Sequence, residues 1–206
     1  MNSIKKRLTY FFIALISFPA LSQNNHILVF GDSISAAYNM PTDKGWVALM
    51  EESLSKQGFT ATITNASISG ETTSGGLVRF KSQIDKSKPN IVILELGGND
   101  GLRGSSLKTM SKNLSLMIEM ALKIEAKVIL AGMHIPPNYG RTYTKRFDQI
   151  YQTLSKNEQV ILIPFILDNV ATIPKLIQKD EIHPNEKAQP IIVNNVLPYL
   201  TPLLKK

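Results

Sequence analysis

A chain of 206 residues, 43% hydrophobic and 19% charged, is long enough for one domain with a sizeable core and has a globular balance. It holds no cysteine, which excludes disulfides, thiolate nucleophiles and Cys-ligated zinc. Its 23 Lys and Arg outnumber 16 Asp and Glu for a formal charge of +7, but they are scattered without a dense run, so nucleic-acid binding has little support.

The chain opens as a secretory leader. Lys5, Lys6 and Arg7 form a positive start, and residues 8–20 are apolar but too short to span a bilayer. Ala20 and Ser22 are the small residues a signal peptidase reads. This predicts a cleavable segment 1–22 and a single domain 23–206, periplasmic or secreted; an uncleaved N-terminal anchor is the alternative. Losing those three cations takes the charge from +7 to +4.

Residues 27–30, Ile-Leu-Val-Phe, read as a buried strand that runs into Gly31-Asp32-Ser33-Ile34-Ser35. Trp46, Met50 and Leu54 recur at helical spacing, and Gly58 suits a helix end. Trp46 reads as a core anchor before a stacking platform. A second strand is expected at 59–64 and a polar loop at 65–71. Leu77, Phe80 and Ile84 mark a helix that ends before Pro89. A third strand covers 91–96, followed by a turn at 97–101. Within that strand Glu95 is either a buried carboxylate supporting the following loop or an exposed strand end. Leu107, Met110, Leu114, Met117, Ala121 and Ile124 trace a long helix, its methionines core filling.

A fourth strand at 127–133 leads into a loop at 134–140, which contains two prolines and a glycine. Phe147, Ile150, Tyr151 and Leu154 form another helical face, and 160–164 a fifth strand. Residues 165–178 suggest a helix broken at Pro174, 180–185 a loop, and 186–203 a last helix kinked at Pro190 and Pro198. Strands alternating with helices argue for an α/β fold with a parallel sheet covered on both faces.

Ligands bind at the carboxyl ends of the strands in such sheets, which makes Ser33 a candidate nucleophile. Three histidines offer a base: His26, expected exposed ahead of the first strand; His134, after the fourth; and His183. Asp180 stands three residues before His183, a spacing that on a tight turn lets a carboxylate fix one ring nitrogen while the other faces a hydroxyl. Taken alone, the pair also fits a helix-capping Asp with an incidental His. An oxyanion would need donors: the Ser33 N–H, the Gly70 N–H and the Asn99 amide each lie just beyond a predicted strand. Their plain alternatives are turn roles, a positive φ for Gly70 and an Asx-turn for Asn99.

Four blocks in order resemble the SGNH (GDSL) hydrolase family, most closely its bacterial thioesterase I, lysophospholipase and arylesterase branch. They are GDSISAAY at 31–38, NASISGET at 65–72, LGGNDGLRG at 96–104 and DEIHPNEKAQP at 180–190. The Gly-x-Ser-x-Gly elbow of α/β-hydrolases is absent. The resemblance implies a flavodoxin-like three-layer α/β/α sandwich with a five-stranded, mainly parallel sheet. It implies Ser33 as nucleophile, His183 as base, Asp180 as its orienter, and Ser33, Gly70 and Asn99 as the oxyanion hole, with no metal or cofactor. Glu71, Ile34 and Glu181 stand where Asp, Leu and Gly are common. His134-Ile135-Pro136 replaces a typical Arg-Leu-Pro at the substrate-side loop and touches specificity.

The expected activity is a secreted or periplasmic serine esterase acting on carboxylic esters, lysophospholipids and thioesters. The protein is expected to be a monomer with at most transient contact with a membrane surface. A carbohydrate acetylesterase of the same fold and a non-catalytic α/β binding module are the alternatives.

Overall fold

Five apolar runs become five strands in a computed structural model that describes residues 25–156 and 159–205. The predicted leader 1–22 and its cleavage point lie outside the described residues. The strands are β1 (Asn25–Gly31), β2 (Ala61–Asn65), β3 (Ile91–Glu95), β4 (Lys127–Ala131) and β5 (Val160–Ile163), in the order β2-β1-β3-β4-β5 and all parallel. β1 and β3 are covered on both faces, which is why they read as unbroken apolar runs instead of alternating ones. The edge strand β2 is half-exposed and alternates with Thr62 and Thr64. This is the flavodoxin-like order, and the strand order reverses between β1 and β3.

Six helices flank the sheet: α1 (Trp46–Lys56), α2 (Thr73–Ser87), α3 (Gly98–Leu102), α4 (Leu107–Lys123), α5 (Arg141–Leu154) and α6 (Gln189–Leu200). α1 packs on α6, while α2, α4 and α5 form a second layer. Trp46, Met50 and Leu54 are buried on α1, and Met110 and Met117 on α4, as core filling. Each such side chain is worth roughly 1.5–3 kcal/mol of transfer free energy.

Four expectations change. His26 lies inside β1 and is half-buried, because Asn25 and His26 are held by Thr60, Lys205 and Asn90. The expected turn at 97–101 is a helical turn, α3. Gly97 enters it at φ 114°, and the Asp100 carboxylate accepts from the Thr73 N–H (2.8 Å) and hydroxyl (2.6 Å), tying it to α2. Residues 165–178 form turns and one short 3-10 turn, Pro174–Leu176, instead of a broken helix; Asn169 at φ 57° and Pro174 break the helical path. The last helix is divided, with 3-10 turns at Glu186–Ala188 and Thr201–Leu203 around α6. Pro190 sits in the first turn of α6, where a missing N–H costs nothing.

Candidate active site

β1 ends at Gly31, and the chain turns at once. The Asp32 carbonyl accepts from the Ala36 N–H (2.9 Å) and the Ser33 carbonyl from the Tyr38 N–H (3.2 Å). Asp32 Oδ1 accepts from the Ile34 N–H at 3.0 Å, an Asx-turn that fixes the backbone on either side of Ser33. Gly31 has to be glycine: a Cβ there would stand 2.5 Å from Glu95 Oε2.

The far end of the chain meets this turn. His183 Nε2 lies 3.0 Å from Ser33 Oγ across 150 residues of sequence. His183 Nδ1 lies 2.7 Å from Asp180 Oδ2, while Asp180 Oδ1 accepts from the Ile182 and His183 N–H groups at 3.0 Å each. Partial burial opposes ionisation of Asp180, but the bonds from the His183 N–H, the His183 ring and the Ile182 N–H outweigh it and hold the carboxyl at about 2. The spacing seen in the sequence thus closes a turn in which the carboxylate caps two N–H groups and grips the imidazole.

That turn is fastened at its base. Ile177 and Pro184 form an antiparallel bridge, and the Gln178 N–H donates to the His183 carbonyl at 2.7 Å. The Gln178 amide donates to the Tyr38 carbonyl (2.9 Å) and the Pro184 carbonyl (3.0 Å), joining the His183 turn to the Ser33 turn. The Tyr38 ring lies 4.3 Å from the imidazole. Sequence reasoning passed over Tyr38 and Gln178, because neither carries chemistry of its own and nothing in the linear chain pairs residues 140 positions apart.

The Ser33 and Gly70 N–H groups have no acceptor among the described residues. Gly70 has φ 77°, a conformation that favours glycine, and Arg103 Nη2 donates to its carbonyl at 3.0 Å. The loop bearing Gly70 is stitched to the Ser33 turn: the Ile68 N–H donates to the Gly31 carbonyl (3.1 Å) and the Asn65 amide to the Ser35 carbonyl (2.8 Å). Asn99, on α3, donates its amide to Asp32 Oδ2 at 3.0 Å. The amide nitrogen has a second hydrogen, for which there is no acceptor among the described residues.

Beneath Ser33 lies a feature the sequence left open. Glu95 is fully buried, and its Oε2 accepts from the Ser35 hydroxyl (2.7 Å) and the Asp32 N–H (3.2 Å). It therefore supports the Ser33 turn and not the Asn99 loop. Glu95 Oε1 has no hydrogen-bond partner among the described residues. Burial, and then the Asp32 charge, push the Glu95 carboxyl well up. Burial likewise lifts Asp32 to about 6, against the bonds from Ile34 and Asn99 that favour its charge.

The predicted substrate-side trio makes contacts of its own. His134 Nδ1 is 2.8 Å from Asp148 Oδ1, and its ring is 4.3 Å from that of Phe165. Ile135 is buried against Gly101, and Pro136 leads into the 3-10 turn Pro137–Tyr139. No hydrogen bond or ring contact joins these three residues to Ser33 or His183 among the described residues.

Residues 29–190 match the model of the GDSL-like Lipase/Acylhydrolase family. The chain is 42% identical over 192 residues to Esterase TesA of Pseudomonas aeruginosa, covering 93% of this chain and 96% of that protein. It is 36% identical over 203 residues to Thioesterase 1/protease 1/lysophospholipase L1 of Escherichia coli K12, covering 98% and 96%. Among solved structures, the esterase EstA from Pseudoalteromonas sp., inhibited by monoethylphosphonate, superposes with a TM-score of 0.83 at 36% identity. That match covers 87% of this chain and 98% of EstA.

Proposed function

The chain belongs to the GDSL-like lipase/acylhydrolase family and is a serine ester hydrolase acting on small-molecule esters, and we propose that Ser33, His183 and Asp180 are its catalytic triad. The observation that carries this assignment is the unbroken line Ser33 Oγ, His183 Nε2, His183 Nδ1, Asp180 Oδ2, with gaps of 3.0 and 2.7 Å. His183 takes the Ser33 proton as Oγ attacks the ester carbonyl. The low-lying Asp180 carboxyl stays ionised, fixes the tautomer with the proton on Nδ1, and stabilises the imidazolium.

The Ser33 and Gly70 N–H groups, unbonded and ready, receive the developing oxyanion together with the free hydrogen of the Asn99 amide. Collapse of the intermediate releases the alcohol, which takes its proton from His183. Water activated by His183 then frees the acid from the Ser33 acyl-enzyme.

Exposed Tyr38, Ile68 and Ile182 sit on the loops that carry Ser33, Gly70 and His183. Such a rim suits an acyl or aryl group better than a sugar ring, which favours carboxylic esters and lysophospholipids, with thioesters as further substrates. Export after cleavage of residues 1–22 suits those substrates. The test is Ser33→Ala in the mature chain against a chromogenic short-chain ester. Activity should fall by roughly 10³-fold or more while the circular dichroism spectrum is unchanged. Equal activity in a folded variant would overturn the assignment.

A further inference from the structure

Cations that are scattered along the chain are gathered in space. Residues 101–118 and 135–147 carry Arg103, Lys108, Lys112, Arg141, Lys145 and Arg146 and no Asp or Glu. Folding sets these segments side by side. The Tyr139 hydroxyl donates to the Leu102 carbonyl at 2.8 Å, the Tyr143 hydroxyl donates to the Ser105 carbonyl at 3.1 Å, and α4 packs along α5.

Between them lies an open cavity of about 780 Å³. This is within the ~300–1,000 Å³ range of small-molecule sites. Lys108, Arg141 and Arg146 line it, and none forms an ion pair or side-chain hydrogen bond among the described residues. Leu107, Tyr143 and Ile150 give it an apolar wall. The first turn of α5 opens at the same place, and Gly140 before it brings no side chain to cap it.

Unpaired cations above an apolar wall, with no carboxylate in either segment, define a ligand with an anionic head and a greasy tail. A neutral sugar would leave the cations without a counter-charge, and a free inorganic anion would leave the wall uncovered. We propose that this cavity binds a single-chain anionic lysophospholipid, its phosphate against Lys108, Arg141 and Arg146 and its alkyl chain along Leu107, Tyr143 and Ile150. None of the residues lining it is Ser33, Gly70, Asn99, Asp180 or His183. It holds a lipid beside the segment that carries Asn99, and binding there does not depend on turnover at Ser33.

The experiment uses the mature chain carrying Ser33→Ala, which removes hydrolysis from the readout. Dodecyl phosphate is titrated below its micelle concentration by calorimetry, with inorganic phosphate and dodecyl maltoside as head-only and tail-only arms. Dodecyl phosphate should bind saturably at one equivalent. Binding should weaken at least about tenfold in the Arg141→Ala/Arg146→Ala double variant, and also at high salt. Lys108→Glu should weaken it in the same way, and neither single-feature arm should approach its affinity. Equally strong maltoside binding, or affinity undiminished in both variants, would overturn the proposal. So would pelleting with anionic vesicles without binding of monomeric dodecyl phosphate, since that result marks a membrane-docking face. With Ser33 restored, the double variant should hydrolyse a short neutral ester at the native rate, which keeps this test distinct from that of the triad.

Discussion

Glu95 Oε2 accepts a hydrogen bond from the Asp32 N–H at 3.2 Å, which places two carboxyl side chains in one buried corner under the Ser33 turn. Neither forms an ion pair among the described residues. Two adjacent buried carboxylates repel, so Glu95 keeps its proton and Asp32 carries the charge that the Ile34 N–H and the Asn99 amide solvate.

Glu95→Gln preserves a neutral group with the same acceptor and should keep ester hydrolysis within a few-fold of native. Glu95→Ala strips the Ser35 hydroxyl and the Asp32 N–H of their acceptor and opens a cavity, at a cost of about 2–5 kcal/mol. Urea unfolding of the two variants side by side checks this; a Gln variant as unstable as the Ala variant would show that the proton on Glu95 is not the resting state.

The two aspartates of the site should give stability slopes of opposite sign. Asp32, lifted from 3.8 to about 6, contributes stability that is present below its unfolded value and lost as pH rises through about 6. Asp180, lowered to about 2, contributes stability that is present above 3.8 and lost as pH falls toward 2. Its side chain is about one-third exposed, so solvent screens much of that effect. Thermal melts across this range should show native stability falling relative to Asp32→Asn between about 4 and 6, and falling relative to Asp180→Asn only at the acid end.

Asn99→Ala should lower kcat by about 10²–10³-fold and leave KM within a few-fold, the signature of a donor that acts in the transition state. Steady-state kinetics on one short ester suffices. A change confined to KM would make Asn99 a substrate contact and not an oxyanion donor.

Glu181 takes φ 61° in the Asp180–His183 turn, a left-handed conformation that costs an L side chain about 1–2 kcal/mol. Glu181→Gly should fold and hydrolyse ester at least as well as the native chain, whereas Glu181→Val should move His183 and lower kcat about tenfold or more.

Much of this was legible in the sequence for identifiable reasons. β1, β3 and β4 are apolar on both faces, and that continuity survives in one dimension. The Asp180–His183 link is local, so its spacing shows it. The Asn99 turn was less legible: α3 is short and glycine-rich, and it is helical because Asp100 is anchored to Thr73, a partner no local pattern reveals. Residues 165–178 misled for a related reason, since the Asn195 side chain holds the Ile166 and Asp168 carbonyls that a helix would have used. The Glu95–Asp32 corner and the cationic cavity are products of packing, and their residues look ordinary until the elements are set side by side.

The 150-position separation of Ser33 and His183 also has a consequence in time. A ribosome delivers Ser33 early and His183 near the end. Through synthesis, and through any N-terminus-first passage across a membrane, Ser33 travels without the His183 imidazole beside it. On the proposed triad, the chain hydrolyses no ester until its last segment has arrived and Gln178 has joined the two turns.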